Sequence, residues 1–175
     1  MTEEIIFNGD NRLKSYVLSR LKTAVSPVFN QIELEEALRL LQIDPLVDSI
    51  SANLSAGSQI GTSILSISVK ATPIIQVAIG TNNYRTPSVG SAQTTIRSEV
   101  SNLLSQGERL SFGYSLTDGS NGFYAAVELP MNAHDGRLSL EYSQLDARII
   151  EEPLNNFNIE TDGQRYSVAY RQPLL

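Results

Sequence analysis

Residues 110–116 read Leu110-Ser111-Phe112-Gly113-Tyr114-Ser115-Leu116, with an apolar side chain at every second position. A β-strand points successive side chains to opposite faces, so this stretch predicts a strand with one apolar and one polar face. The polar positions hold only serine and glycine, whereas a strand covered on both faces is apolar almost throughout. The stretch therefore predicts a sheet that meets apolar surroundings on one side and water on the other.

The same alternation recurs, interrupted by turns, in the part of the chain that follows Pro73. We predict six antiparallel strands, paired in sequence order, at Ile75–Thr81, Thr94–Leu104, Arg109–Thr117, Phe123–Leu129, Arg137–Ile150 and a last strand ending at Arg171. The second of these keeps the alternation only in part. A slip of one residue reverses every side chain, so the pattern fixes which residues share the apolar face. These are Phe112, Tyr114, Val127 and Leu140.

The length of these strands favours part of a transmembrane β-barrel over a two-layer sandwich. Tyrosines lie near the strand ends, and serine, glycine, glutamate and arginine occupy the polar face, as in barrels with a wet lumen. No stretch reaches the ~18 apolar residues that a membrane helix needs, so a crossing of the bilayer would have to use strands.

The chain before residue 73 follows a mixed pattern. A short strand is predicted at Ile5–Phe7, and apolar residues recur at helical spacing over 13–24 until Ser26-Pro27. Two alternating strands are predicted at Ser49–Leu54 and Leu65–Val69. With a second helix between 30 and 45, the order is β-α-α-β-β, an α+β fold with one core. We expect that core to contain Leu21, Leu38, Leu41, Leu65 and Ile67.

The second helix has clear start and stop signals. Asn30 and Glu33 form a capping-box-like pair, and Phe29 and Leu34 occupy the two positions of a hydrophobic staple. Asp44-Pro45 ends the helix.

Composition excludes several kinds of function. The formal net charge is -6 and no basic run exists, which argues against nucleic acid as a partner. The absence of cysteine excludes disulfides and thiolate metal sites. The single histidine, His134, lies in a turn-rich stretch, and the glutamate pairs at 35–36 and 151–152 are typical of solvated surface. We predict no catalytic residue, no metal site, no cofactor and no enzymatic activity.

Several short motifs occur together in this sequence. They are Leu40-Leu41-Gln42-Ile43-Asp44-Pro45, Leu54-Ser55-Ala56-Gly57, Gly61-Thr62-Ser63-Ile64-Leu65, Asn82–Ser91, Ser101–Glu108 and Tyr170–Leu174. Together they resemble the two-partner secretion transporters of the haemolysin-activator and filamentous-haemagglutinin type, in the POTRA-barrel superfamily. Two positions depart from the family pattern: Ala56 replaces a proline and Ser105 replaces a glycine.

The resemblance implies a division of the chain. Residues 1–72 would be the last POTRA (polypeptide-transport-associated) domain, in the periplasm. Residues 73–175 would be about the first six strands of a barrel in the bacterial outer membrane, in contact with lipid. Both ends of the chain look cut, and we expect a piece of a longer protein whose gating residues lie elsewhere. The implied function is to capture an unfolded secreted exoprotein and pass it through the barrel without nucleotide.

The resemblance also indicates candidate binding residues. It makes the second strand an edge that could take up an extended peptide, through Ser49, Ile50, Ser51, Ala52, Asn53 and Leu54. The outward residues of that strand are small and uncharged, although a neighbouring domain or the barrel rim could equally cover it. Charged residues predicted to face the lumen are Arg97, Glu99, Glu128, Glu141 and Arg171, either as a solvated wall or as the lining of a polypeptide path.

Two alternatives stay open from the sequence. One is an outer-membrane assembly factor of the same superfamily, which inserts other barrels. The other is a soluble β-sheet ligand-binding module, which would have to bury its apolar face under a second layer. Because six strands cannot close a membrane barrel, we also expect a fragment of this kind to self-associate through its open sheet edges.

Overall fold

The structure, a computed structural model, describes residues 2–25 and 30–173. Residues 2–25 and 30–71 form what we call the N-terminal unit. Its elements are β1 (Thr2–Gly9), α1 (Asn11–Val25), α2 (Gln31–Gln42), β2 (Val47–Ala56) and β3 (Ser63–Ala71). The strands form a sheet in the order β1-β3-β2, with β1 parallel and β2 antiparallel to the central β3. The predicted order of elements is confirmed.

Both helices pack on one face of this three-stranded sheet. The buried apolar residues are Leu13, Tyr16, Val17, Leu21, Val25, Leu34, Leu41, Leu46, Val47, Leu65, Ile67 and Val69. Four of the five predicted core residues are among them. The fifth, Leu38, is only half-buried, because α2 turns Leu34 and Leu41 into the core and leaves Leu38 on its flank.

The predicted start of α2 is confirmed at Asn30. Its Oδ1 accepts hydrogen bonds from the backbone N–H groups of Ile32 (3.1 Å) and Glu33 (3.4 Å). In return, Asn30 Nδ2 donates to Glu33 Oε1 at 2.9 Å. Two backbone donors that the first turn would otherwise leave unpaired are thus satisfied. The predicted staple residue Phe29 and the stop at Ser26-Pro27 lie outside the described residues.

The rest of the described chain forms one antiparallel sheet of six strands in sequence order. The strands are β4 (Ile75–Asn82), β5 (Gln93–Ser101), β6 (Arg109–Leu116), β7 (Ser120–Pro130), β8 (Arg137–Arg148) and β9 (Glu160–Arg171). The prediction of six antiparallel strands paired in sequence order is confirmed. β5 ends earlier than expected, because Asn102 takes a left-handed conformation (φ 56°) and its N–H bonds Glu108 O at 2.7 Å. Leu104 therefore lies exposed in a turn.

The register gives this sheet two unlike faces. Leu110 pairs with Val127, Val127 with Leu140, and Phe112 with Ala125, so the predicted apolar residues do share one face. That face is open: Phe112 is 43% exposed, and Ile79 and Tyr166 are 72% and 74% exposed. Within residues 2–25 and 30–173, no helix or second sheet covers it.

A loop crosses the end of the sheet that lies away from the N-terminal unit and bonds to other connections there. The segment between β4 and β5 passes over β5, and Val89 O accepts from Gly119 N at 3.0 Å. Ser88 O accepts from Ile150 N, at the end of β8, at 2.9 Å. Backbone hydrogen bonds therefore join the loop between β4 and β5 to the turn between β6 and β7 and to the loop after β8.

No helix in the described part of the chain is both long and apolar enough to cross a membrane.

We expect Ile67→Ala to destabilise the N-terminal unit by about 2–5 kcal/mol, because Ile67 is fully buried. Both α-helices of the described residues lie in this unit, so the helical circular dichroism signal during urea unfolding measures its stability. The half-buried Leu38→Ala should cost less. The matched control is Ser68→Ala on the exposed face of β3, which should change stability by less than about 0.5 kcal/mol. Equal effects of the Ile67 and Ser68 variants would contradict this core.

Candidate functional site

The predicted substrate strand lies at an edge. β2 pairs with β3 on one side and has no neighbour on the other among the described residues. Its Ile50, Ala52 and Leu54 pair with the buried Val69, Ile67 and Leu65 and so lie on the helix side of the sheet. Ser49, Ser51 and Asn53 point away from the helices and are exposed. The edge therefore offers main-chain groups from Ser49 to Leu54, and its outward-facing residues are small and uncharged, while the exposed Leu54 lies on the helix side.

The sequence did not indicate that β1 is the opposite edge of the same sheet. A strand's place in a sheet depends on pairing between distant segments. In this unit, the last strand in sequence takes the central place. Of the two edges, β1 carries the charge of Glu4, whereas the exposed positions at 49–54 of β2 carry none.

The five charged residues predicted to face the lumen lie on a common face of the larger sheet. They pair in the register with residues of the polar face: Arg97 with Gly113, Glu99 with Ser111, Glu128 with Arg109, Glu141 with Ser167 and Arg171 with Arg137. They do not form one cluster. Glu99 and Glu141 belong to the same row across the sheet, and Arg97 to the next row. Glu128 and Arg171 lie close to the N-terminal unit.

The polar face also holds an open groove of ≈ 730 Å³ over β4 to β7. Its lining includes Gln76, Thr95, Arg97, Glu99 and Ser111. Gly113 and Gly122 lie on the same face, and because they have no side chain they leave room for the groove above the backbone. The groove thus lies directly behind the exposed apolar face, and its lining combines polar side chains with apolar ones.

Arg137, the most buried polar side chain among the described residues, joins the two parts of the chain. Arg137, the first residue of β8, donates from Nη2 to Asp44 Oδ2 at 2.8 Å and to the Tyr16 hydroxyl at 3.2 Å. The Tyr16 hydroxyl donates to the same Asp44 oxygen. The side chains of Arg137 and Asp44 are each only 3% exposed. We call Tyr16, Asp44 and Arg137 the junction triad.

Three further charged side chains lie around the triad: Glu128 and Asp135 from the larger sheet and its turn, and Arg20 from α1. Arg137 Nε donates to Asp135 Oδ1 at 2.7 Å, and Nη1 donates to Glu128 Oε1 at 2.8 Å. From α1, the Arg20 guanidinium lies 3.6 Å above the centre of the Tyr16 ring, and its Nη2 lies 3.8 Å from Asp135 Oδ1. Every nitrogen of Arg137 therefore has an acceptor, as a buried guanidinium requires.

Burial, with a smaller contribution from the Asp44 carboxylate, raises the pKa of the Tyr16 phenol well above its usual value of 10.0. The phenol thus remains protonated at physiological pH and acts as a donor to Asp44. The triad is thus held together by a charged pair and a neutral hydroxyl.

A second contact between the two parts lies in the turn between β5 and β6. Gly107 N donates to Asn102 Oδ1 at 3.0 Å, and Glu108 Oε2 accepts from Gln106 N at 3.2 Å. Asn102 Nδ2 donates across to Arg12 O in α1 at 3.3 Å. Gly107 lies so close to the Tyr16 ring that a Cβ atom there would be 2.1 Å from it. The turn is therefore docked on α1.

The described residues contain no group of three or more His, Cys, Asp or Glu side chains that could hold a metal ion. His134 is exposed in the turn between β7 and β8.

Residues 61–174 match the protein family described as haemolysin secretion/activation protein ShlB/FhaC/HecB. The chain belongs to this family. Membership confirms the resemblance to two-partner secretion transporters, a family of transport proteins rather than enzymes. The matched residues of this ShlB/FhaC/HecB family member include Gly107 and Arg137, whereas Tyr16 and Asp44 precede them.

Solved structures share the fold at low identity. BamA from Haemophilus ducreyi lacking POTRA domains 1-3 has a TM-score of 0.69 at 12% identity, over 97% of this chain and 31% of that chain. CdiB from Escherichia coli has a TM-score of 0.64 at 19% identity, over 87% and 29%. CdiB from Acinetobacter baumannii has 0.63 at 15%, over 95% and 32%. The chain spans about a third of the length of each of these structures. A search of curated proteins gave no match.

Proposed function

We propose that this chain is part of an outer-membrane transporter of two-partner secretion. The N-terminal unit is the last POTRA domain and lies in the periplasm. The six strands that follow are the first strands of the barrel, with the polar face toward the lumen. The observation that carries the proposal is a sheet whose apolar face is uncovered among the described residues and whose opposite face carries the polar residues, in a member of the ShlB/FhaC/HecB family.

Lipid is the partner that the apolar face requires. Exposed apolar patches of this extent are rare on soluble monomers, and a soluble module would cover the face with a second layer. The described chain supplies no such layer. The ring of Tyr142 packs at a tilt against those of Phe123 and Tyr166, with centroids 6.2 and 5.0 Å apart, which makes an aromatic row on this face. These features favour a membrane over a soluble ligand-binding role.

The substrate is an extended segment of a secreted exoprotein. In this proposal it adds to the free edge of β2, where main-chain N–H and C=O groups from Ser49 to Leu54 form a new ladder. The segment then passes along the polar face, past Arg97, Glu99 and Glu141. Nucleotide has no part in this scheme, and binding and folding of the exoprotein provide the direction.

The family match favours transport over barrel insertion, because it names secretion proteins. The likeness to BamA, at 12% identity, shows only a shared fold. The two outer strands, β4 and β9, have no partner beyond the sheet among the described residues. In a full transporter, further strands would pair with them, whereas this chain alone would self-associate at the same edges.

The two faces predict opposite environments in a bilayer. The sequence has no cysteine, so a spin label can be placed singly at Phe112→Cys or at Ser111→Cys, its neighbour on the other face. In vesicles, we expect electron paramagnetic resonance to show the label at 112 relaxed mainly by oxygen and the label at 111 mainly by a water-soluble nickel complex. Greater nickel than oxygen access at both sites would exclude the membrane assignment.

Strand addition predicts that proline in β2 weakens substrate binding. Successive N–H groups of a strand point to opposite sides, so only one of Ser51→Pro and Ala52→Pro removes a donor from the free edge. The variant that preserves the helical signal should lose affinity for the N-terminal region of the partner exoprotein by roughly three- to tenfold, for a lost bond of about 0.5–1.5 kcal/mol.

The matched proline control is Gln31→Pro, at the first position of α2, where proline is tolerated. It should leave the affinity unchanged in the same titration. If both β2 variants folded and bound like the parent chain, β2 would not be the substrate strand.

A further inference from the structure

We propose that Asp44 and Arg137 are positioning residues of transport, which fix β2 in one orientation relative to the barrel. The consequence for transport rests on the proposed function. The fixed orientation itself rests on contacts within the described residues alone, and the two can be tested separately.

Asp44 connects the sheet to the start of β2 through its two carboxylate oxygens. Oδ2 accepts from Arg137, while Oδ1 accepts from the N–H of Leu46 at 2.9 Å. The backbone carbonyl of Asp44 accepts from the N–H of Val47, the first residue of β2, at 3.0 Å. A displacement of Asp44 relative to Arg137 therefore displaces the start of the proposed substrate strand.

The contact is directional because of the shape of arginine. A guanidinium donates in a fixed planar fork, and here its three nitrogens reach Asp44 and Tyr16 from the N-terminal unit and Asp135 and Glu128 from the sheet. A lysine side chain ends in a single ammonium nitrogen without a planar fork, so it cannot bond the acceptors of the N-terminal unit and those of the sheet at the same time. Since the triad is buried, rotation of the unit would leave charges without partners in a dry site.

The linker between the two parts is bonded at the same place. Thr72 donates from N to Leu46 O at 3.1 Å and from Oγ1 to Pro45 O at 3.0 Å. Ile74 O accepts from Ser101 N, at the end of β5, at 2.8 Å. With the Gly107 turn packed on Tyr16, three separate contacts act on α1 and on the loop that leads into β2. The connection is therefore a fixed joint rather than a free hinge.

The deciding variant is Asp44→Asn in the full transporter. Asparagine keeps an acceptor at Oδ1 for Leu46 but can present an amide donor, instead of a carboxylate oxygen, to Arg137. Spin labels at Glu36→Cys, on the exposed side of α2 in the same unit as β2, and at Asn121→Cys on β7 report the distance between the two parts by double electron–electron resonance. We expect one narrow distance in the parent protein, and a broad or divided distribution in Asp44→Asn. The control is Glu35→Gln, an exposed carboxylate on α2, which should keep the narrow distance.

A second variant tests the same joint without touching the charges. Gly107→Ala places a methyl group against the Tyr16 ring and should broaden the distance as Asp44→Asn does. Gly61→Ala is its control, because Gly61 has a similarly positive φ (88° against 86°) but a Cβ there would meet nothing within 4 Å. The helical signal shows whether each variant is folded.

Transport and binding are then measured on the same variants. We expect the affinity of β2 for the exoprotein's N-terminal region to be unchanged in Asp44→Asn and Gly107→Ala, while secretion of the exoprotein is lost. If the parent protein bound no exoprotein, the proposed function would be wrong, but the distance measurements would still test whether the N-terminal unit has one fixed orientation. A narrow, unchanged distance in both variants would overturn the fixed orientation, and normal secretion despite a broadened distance would overturn its role in transport.

Discussion

The structure depends on one constraint: each strand from β4 to β9 is apolar on one face and polar on the other, so the sheet needs two different surroundings. Phe112 and Ser111 are adjacent in sequence and must meet unlike media. A second protein layer could cover the apolar face, but the described residues provide none. In the proposed function, lipid on one side and a water-filled lumen on the other meet this constraint.

The proposed transport role also needs a water-exposed unit at a defined place beside the sheet. The N-terminal unit has its own core and two sheet edges that no other strand of the described residues covers, and it is joined to the larger sheet through polar contacts. Burying Arg137 and Asp44 costs desolvation, so the pair is a weak source of stability but a strong source of orientation. Because Asp44 precedes β2 directly, that orientation is transmitted to the edge that we assign to substrate.

The sequence predicted what depends on local periods and caps. Alternation gave six strands and the shared face of Phe112 and Leu140, and Asn30 with Glu33 gave the start of α2. The end of β5 was misplaced, because the left-handed turn at Asn102 is set by its bond to Glu108 rather than by hydrophobicity. Leu38 was overestimated as a core residue, since helical spacing does not show how far a helix turns on its sheet.

The junction triad could not be predicted for a different reason. Its members come from α1, the end of α2 and the start of β8, and no spacing in one sequence connects them. From the sequence alone, Asp44 indicates only the end of a helix, and Arg137 only the first residue of a strand. Long-range polar pairs of this kind become visible only when the two parts of the chain are seen together.

The orientation of the chain across the outer membrane tests the central claim most directly. In the protein expressed in a bacterium, single cysteines at Asn156, in the loop between β8 and β9, and at His134, in the turn near the N-terminal unit, mark the two ends of the sheet. A membrane-impermeant maleimide should label Asn156→Cys on intact cells and His134→Cys only after the outer membrane is permeabilised. Labelling of His134→Cys on intact cells, with Asn156→Cys protected, would contradict the account.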